Sequence, residues 1–113
     1  MPFISTRTNR PVSPEAQQAL TKGLGRAIRL LGKSESWLML QFEENCRLAF
    51  QGRADRPLAF VEVKLYGRAD RDAYQRLTEE ITRLLSDALE IDPDGIYVAY
   101  QETEHWGWQG NNF

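Results

Sequence analysis

Leu58-Ala59-Phe60-Val61-Glu62-Val63-Lys64-Leu65-Tyr66-Gly67 is the stretch whose reading decides the fold. Its apolar, β-branched and aromatic residues, broken only by Glu62 and Lys64, read as a strand that stops at Gly67. Downstream, Asp70 or Asp72 caps a helix whose apolar stripe is Tyr74, Leu77, Ile81, Leu84, Leu85 and Ala88. Asp92-Pro93-Asp94-Gly95 reads as a turn, and Ile96-Tyr97-Val98-Ala99-Tyr100 as another strand.

Upstream the same order appears. Phe3 to Asn9 is strand-like. Ser13 is an N-cap, Pro14 occupies the first helical position, and Glu15 favours the positive end of the helix dipole. Ala16, Leu20, Leu24, Ala27, Ile28 and Leu31 share one helical face, and Gly32 follows as the C-cap. Trp37-Leu38-Met39-Leu40-Gln41-Phe42 suits a strand buried on both faces. Between the halves, Arg47-Leu48-Ala49-Phe50 suggests a small extra strand, and 52–57 is a polar loop rather than a domain linker.

Strand–helix–strand therefore occurs twice, with each helix about five turns long. The expected fold is α+β: tandem β-α-β units forming one four-stranded mixed sheet with two helices on one face. The other sheet face then lacks cover. Strands apolar on both sides would leave it an exposed apolar surface, which predicts association.

Bulk properties narrow the function. The chain has 113 residues, enough for a single domain over 1–113. It is 42% hydrophobic and 27% charged, as ordinary globular proteins are. A net charge of −2 argues against nucleic acid as a partner. One cysteine, Cys46, precludes an internal disulfide. No apolar run approaches membrane-spanning length and no secretory signal is evident, so the expected location is cytoplasmic.

Pro2 is the residue with chemical promise. If Met1 is removed, Pro2 carries the α-amino group, a secondary amine in a class that titrates near 8. Modest burial makes such an amine a base at neutral pH. Alone, Met1-Pro2 reads first as a mere start dipeptide.

Several residues in order carry a family resemblance. These are Met1-Pro2 opening a strand, Thr8-Asn9 with Pro11, Gly32-Lys33 closing the first helix, and Leu48-Ala49-Phe50. Pro93-Asp94-Gly95-Ile96-Tyr97, Gly107-Trp108 and Asn111-Asn112-Phe113 continue the series. Over nearly its full length the chain resembles the macrophage migration inhibitory factor family of the tautomerase superfamily, with microbial, cyanobacterial and plant members similar. The resemblance implies a homotrimer whose sheets line a central barrel, with active sites at the subunit interfaces. It implies keto–enol tautomerisation of phenylpyruvate and related aryl 2-oxo acids, with no cofactor and no metal.

The resemblance also assigns roles. Pro2 is the implied catalytic acid and base. Lys33 would bind the substrate carboxylate and oppose protonation of Pro2; it is equally a cation placed on a helix C-terminus. Tyr66 stands where the family uses a backbone amide for substrate. Tyr97 would reach the site from a neighbouring subunit, or serve only as an interface tyrosine. Trp37, Trp106, Trp108 and Phe113 are candidates for an aromatic rim around an aryl substrate, or for ordinary packing. His105 and Cys46 receive no catalytic role.

The chain departs from the mammalian pattern at Ala99, where an asparagine is usual, and at Tyr66, where an isoleucine is usual. Pro57-Leu58-Ala59-Phe60 replaces a two-cysteine motif, so thiol–disulfide activity is not expected. A protein-binding homologue, cytokine-like and with weak or no catalysis, is the alternative function. Hydration of an unsaturated acid would need arginines and a carboxylate for which the chain offers no evident set.

Overall fold

The computed structural model describes all 113 residues. Its strands and helices are β1 (Pro2–Thr8), α1 (Pro14–Ala27), β2 (Met39–Glu43), β3 (Ala59–Tyr66), α2 (Arg71–Leu89) and β4 (Ile96–Thr103). A short hairpin, β5 (Gly107–Trp108) and β6 (Asn111–Asn112), ends the chain. The main sheet runs β2-β1-β3-β4. Within each β-α-β unit the strands are parallel, and β1 pairs antiparallel with β3, so the sheet is mixed as expected.

Both helices cover one face. Alternate residues of the strands, among them Ile4, Val61, Val63 and Leu65, pack against Leu20, Leu24, Ile28, Leu77, Ile81 and Leu85. All ten are essentially inaccessible to solvent. Burial of such side chains is the dominant favourable contribution to folding. Tyr74 and Tyr100 stack with ring centroids 4.5 Å apart and join α2 to β4. The Tyr74 hydroxyl donates to Glu102 at 2.6 Å, and that of Tyr100 lies 2.8 Å from Thr78 Oγ1.

Local chemistry sets the element ends. Ser13 Oγ accepts from Ala16 N–H at 3.1 Å, and Asp70, not Asp72, caps α2 by accepting from Ala73 N–H at 2.7 Å. The first helix is shorter than its stripe suggests. Its α-helical part has 14 residues, about four turns, and Ile28–Leu31 continue as a tighter 3₁₀ turn. Gly32 then takes the left-handed conformation at φ 73°, as a C-cap requires. α2, with 19 residues, does reach five turns.

Thr8-Asn9 works as a clasp. Thr8 Oγ1 donates to Leu58 O at 2.8 Å, and Asn9 Nδ2 donates to Arg56 O at 2.9 Å. Leu58 N–H donates back to Asn9 Oδ1 at 2.8 Å. The pair therefore ties the end of β1 to the segment entering β3. Asn9 itself has left the strand.

Three expectations need correction. Trp37 belongs to a 3₁₀ turn, Glu35–Trp37, and β2 begins only at Met39. That strand lies at the sheet edge and buries neither face fully; Met39 is 68% exposed. Leu40 and Phe42 pack toward the helices, whereas Met39, Gln41 and Glu43 point the other way. Second, Arg47–Phe50 forms no strand; only a bridge joins Phe50 to Arg53 around Gln51-Gly52, both at positive φ.

Third, the uncovered sheet face is not an apolar surface. Arg7 pairs with Glu62 at 3.0 Å and with Glu43 at 3.7 Å, while Ser5 Oγ donates to Gln41 at 3.1 Å. The large apolar groups there lie toward the ends, at Phe3 and Met39 and at Phe60 and Tyr97, with only the small Ala99 between them. β4 also runs on to Thr103, beyond the expected end at Tyr100.

The C-terminus of α2 yields a stability prediction. Glu90 is left-handed, φ 57° and ψ 46°, where a side chain is disfavoured and glycine is not. Its contact with Arg10, 3.5 Å long and 83% exposed on the glutamate side, contributes little. The Arg10 Nε–H that donates to Leu89 O at 3.0 Å does not need it. Glu90→Gly is therefore expected to stabilise the fold by about 1 kcal/mol, read as a raised denaturation midpoint in urea.

Candidate active site

Because β1 pairs with β3 from its first residue, Pro2 lies opposite Leu65 and is buried. Proline has no N–H to give a ladder, and the first position of a strand tolerates that loss. This register carries the N-terminus to the end of β3. There Tyr66 N–H donates to Met1 O at 3.1 Å. Lys33, two residues past the 3₁₀ turn after α1, donates from Nζ to Tyr66 O at 2.9 Å. Gly67 follows at φ 85°, and even a Cβ there would lie 4.0 Å from Lys33 Nζ. N-terminus, Tyr66 backbone and Lys33 are thus one hydrogen-bonded unit.

That unit borders a cavity of about 740 Å³, a size suited to a small organic ligand. Pro2, Phe3, Trp37, Leu38, Met39, Trp106 and Trp108 give it apolar walls, and Ser36 and Lys64 supply its polar side chains. Trp37 and Trp108 meet edge to face, ring centroids 4.9 Å apart. The contact joins the turn before β2 to the terminal hairpin. Phe113 lies against Tyr66, with centroids 5.8 Å apart, and its N–H donates to Trp106 O at 3.0 Å.

The electrostatics favour a neutral amine. In the structure the α-amine belongs to Met1, and its pKa is pushed below the ordinary value, first by burial and then by the positive charge of Lys33. Both causes destabilise the protonated form.

Of the residues singled out in the sequence, the fold gathers Pro2, Lys33, Tyr66, Trp37, Trp106, Trp108 and Phe113 around one end of the sheet. Tyr97 is not among them. It pairs with Phe60, five residues along β3 from the partner of Pro2, or about 17 Å away at the rise of a strand. Its ring is 56% exposed and rests on Phe50, 4.9 Å between centroids. Within one protomer Tyr97 cannot touch Pro2. Ala99 shares the face and end of Tyr97. His105 is exposed, and its backbone N–H rather than its ring bonds Thr103 at 3.3 Å. Cys46 donates from Sγ to Glu43 O at 3.4 Å, away from the cavity.

Sequence reasoning missed Phe3, Ser36, Leu38, Met39 and Lys64 as side chains lining the cavity. Alternation along β3 places Lys64 on the face opposite Val63 and Leu65. Its neighbourhood with Pro2 follows only from the Phe3–Lys64 pairing.

Comparison with known proteins gives a consistent result. Residues 1–113 match the family model for macrophage migration inhibitory factor (MIF). Macrophage migration inhibitory factor of Meriones unguiculatus is 25% identical over 115 aligned positions, spanning 100% of this chain and 99% of that protein. The crystal structure of Leishmania major MIF2 superposes with a TM-score of 0.94 at 31% identity, covering 100% of this chain and 97% of that one. The macrophage migration inhibitory factor homologue from Prochlorococcus marinus gives a TM-score of 0.89 at 27% identity, covering 98% of each chain.

The ordering of causes at the amine is testable. In the chain that begins at Met1, Lys33→Met removes a positive charge and should raise the α-amine pKa. The value should still stay below that of an ordinary terminal amine, because burial, the larger cause, remains. Titration of an ¹⁵N-labelled amine by NMR reads both parts of the expectation.

Proposed function

The chain belongs to the macrophage migration inhibitory factor family, within the tautomerase superfamily, and we propose that it is a cofactor-free keto–enol tautomerase of phenylpyruvate-like aryl 2-oxo acids. The observation that carries this reading is the buried N-terminus beside Lys33, where burial and charge together favour a neutral amine.

With Met1 removed, the α-amine is that of Pro2, already buried in the structure. Neutral, its nitrogen lone pair takes a proton from the carbon adjacent to the substrate carbonyl. The C–H electron pair moves to form the C=C bond, and the carbonyl oxygen becomes the enol oxygen. The Pro2 ammonium then returns the proton to that oxygen, so no proton is gained or lost overall. In the ketonising direction the steps reverse.

Removal of Met1 has a second consequence. The Tyr66 N–H loses its acceptor, Met1 O, and is left as a backbone donor beside the Lys33 ammonium. A carboxylate restores the lost hydrogen bond and pairs with Lys33. The substrate aryl group then lies against apolar walls that include Trp37 and Trp108. Because the donor is a backbone group, Tyr66 serves this role where other members carry isoleucine, while its ring and Phe113 form one wall.

The same reading includes a homotrimer with sites between subunits. Support comes from two bare sheet edges, β2 and β4, and from the distance of Tyr97 from Pro2 in a single protomer. A neighbour's Tyr97, with its hydroxyl free and its ring exposed, supplies a donor or a stacking surface at the site.

Ultraviolet absorbance follows phenylpyruvate tautomerisation directly, on protein shown by mass spectrometry to start at Pro2. Pro2→Ala should cut kcat/KM by roughly 10²–10⁴-fold, and Lys33→Ala should act chiefly through KM. Full activity in Pro2→Ala would overturn the mechanism, and inactivity of correctly trimmed protein would favour the protein-binding alternative. Burial and Lys33 lower the α-amine pKa of Met1, and the same two causes act on a Pro2 amine. With the neutral form as base, kcat/KM of the trimmed protein should therefore rise with pH through a midpoint below about 8 and then level off. Light scattering should return three times the protomer mass of 13.0 kDa.

A further inference from the structure

We propose that Lys64 is a second anion anchor, so that the cavity selects acids carrying a further negative charge remote from the 2-oxo carboxylate. The inference rests on the reading of the Lys33–Tyr66 corner as the first carboxylate site, and it extends that reading from substrate type to substrate charge.

Lys64 is the only charged side chain among the residues lining the cavity, and no carboxylate lines it. Its surroundings explain why this matters. The other charges on the same sheet face are engaged with one another, Arg7 with both Glu43 and Glu62, and none of them with Lys64. No carboxylate lies within ion-pair distance of Lys64, and the one cation–π contact of the fold is that of Arg56 with Phe50. Lys64 is half-buried, between Phe3 on one strand and Gln101 on the other. A partly desolvated ammonium among apolar walls gains more from an anionic ligand than an exposed lysine does.

Charge counting leads to the same class of ligand. Lys33 also has no carboxylate within ion-pair distance, so two lysines without an ion-pair partner flank the N-terminus. The terminal amine must be neutral to act as a base and adds none. A substrate with one carboxylate balances one lysine; a dianion balances both. The spacing is suitable as well. Tyr66 and Lys64 are two residues apart on one face of β3, about 7 Å at the rise of a strand. The anions are thus received at opposite ends of a small molecule, with the apolar walls holding the carbon skeleton between them.

All three tryptophans of the chain line this cavity, so intrinsic fluorescence reports its occupancy without any turnover. Phenylacetate and (4-carboxyphenyl)acetate, unreactive acids with one and two carboxylates, are the probes, titrated into protein starting at Pro2 at low ionic strength. The dianion should bind about tenfold more tightly than the monoanion, as a charge-assisted hydrogen bond warrants. Lys64→Met should reduce this preference to within about twofold, and Lys64→Arg should keep it. A preference that survives Lys64→Met, equal binding of the two acids, or binding of neither overturns the proposal. The outcome is separable from catalysis. If phenylpyruvate is not tautomerised but the preference depends on Lys64, the enzymatic reading fails and the second anchor stands.

Discussion

Everything functional in this protein depends on the pairing of the first strand with the third, which begins at Pro2 opposite Leu65. A strand that opens a chain usually frays. Here it is held on both sides, by β2 and by β3, and locked at its far end by the Thr8-Asn9 clasp on residues 56–58. A chain terminus is thereby placed at the middle of the sheet rather than at its margin. Proline suits this position because the first residue of a strand can forgo a ladder hydrogen bond. A slip of one residue would turn every alternate side chain to the wrong face and separate the amine from Tyr66 and Lys33.

The register also explains why the site is electrostatically unusual. A terminal amine is ordinarily well solvated and protonated at neutral pH. Burial at the end of β1 removes water from it, and the approach of Lys33 adds a like charge. Lys33 can stand there because its ammonium is held by the Tyr66 carbonyl, which is itself fixed by the β3 ladder. The amine and the lysine are therefore positioned by the same few residues of backbone. That arrangement sets an amine whose protonated form is destabilised beside a lysine with no carboxylate partner.

The sheet's uncovered face changes the argument for association. Apolar strands on both faces would have made oligomerisation a matter of hiding grease. Instead Arg7, Glu43, Glu62, Ser5 and Gln41 form a self-satisfied polar surface that water can wet without penalty. What remains unsatisfied in the protomer is at the edges: the open backbone of β2 and β4, and the exposed aromatic ring of Tyr97. Packing copies edge to edge addresses these, whereas stacking sheets face to face would desolvate ion pairs for little return.

Sequence alone determined the order and type of the elements, because periodicity and caps are local properties. The stripe from Tyr74 to Ala88, the Ser13-Pro14 start and the Gly32 stop each depend on neighbours within a turn or two. The family resemblance likewise singled out Pro2, Lys33, Tyr66 and the terminal aromatics, which the fold gathers at one end. Tertiary structure decided the rest. Trp37-Leu38-Met39-Leu40 looks doubly buried until sheet order puts β2 at an edge, and a sheet edge cannot be read from composition. Arg47–Phe50 has the residues of a strand but no strand beside it within the protomer. Lys64 looks like one more solvent-facing lysine of an alternating strand, until antiparallel pairing with Phe3 brings it to the cavity beside Pro2. Elements arise from interactions between near neighbours in the chain, whereas a site arises from pairing between strands some sixty residues apart, whose register no local pattern encodes.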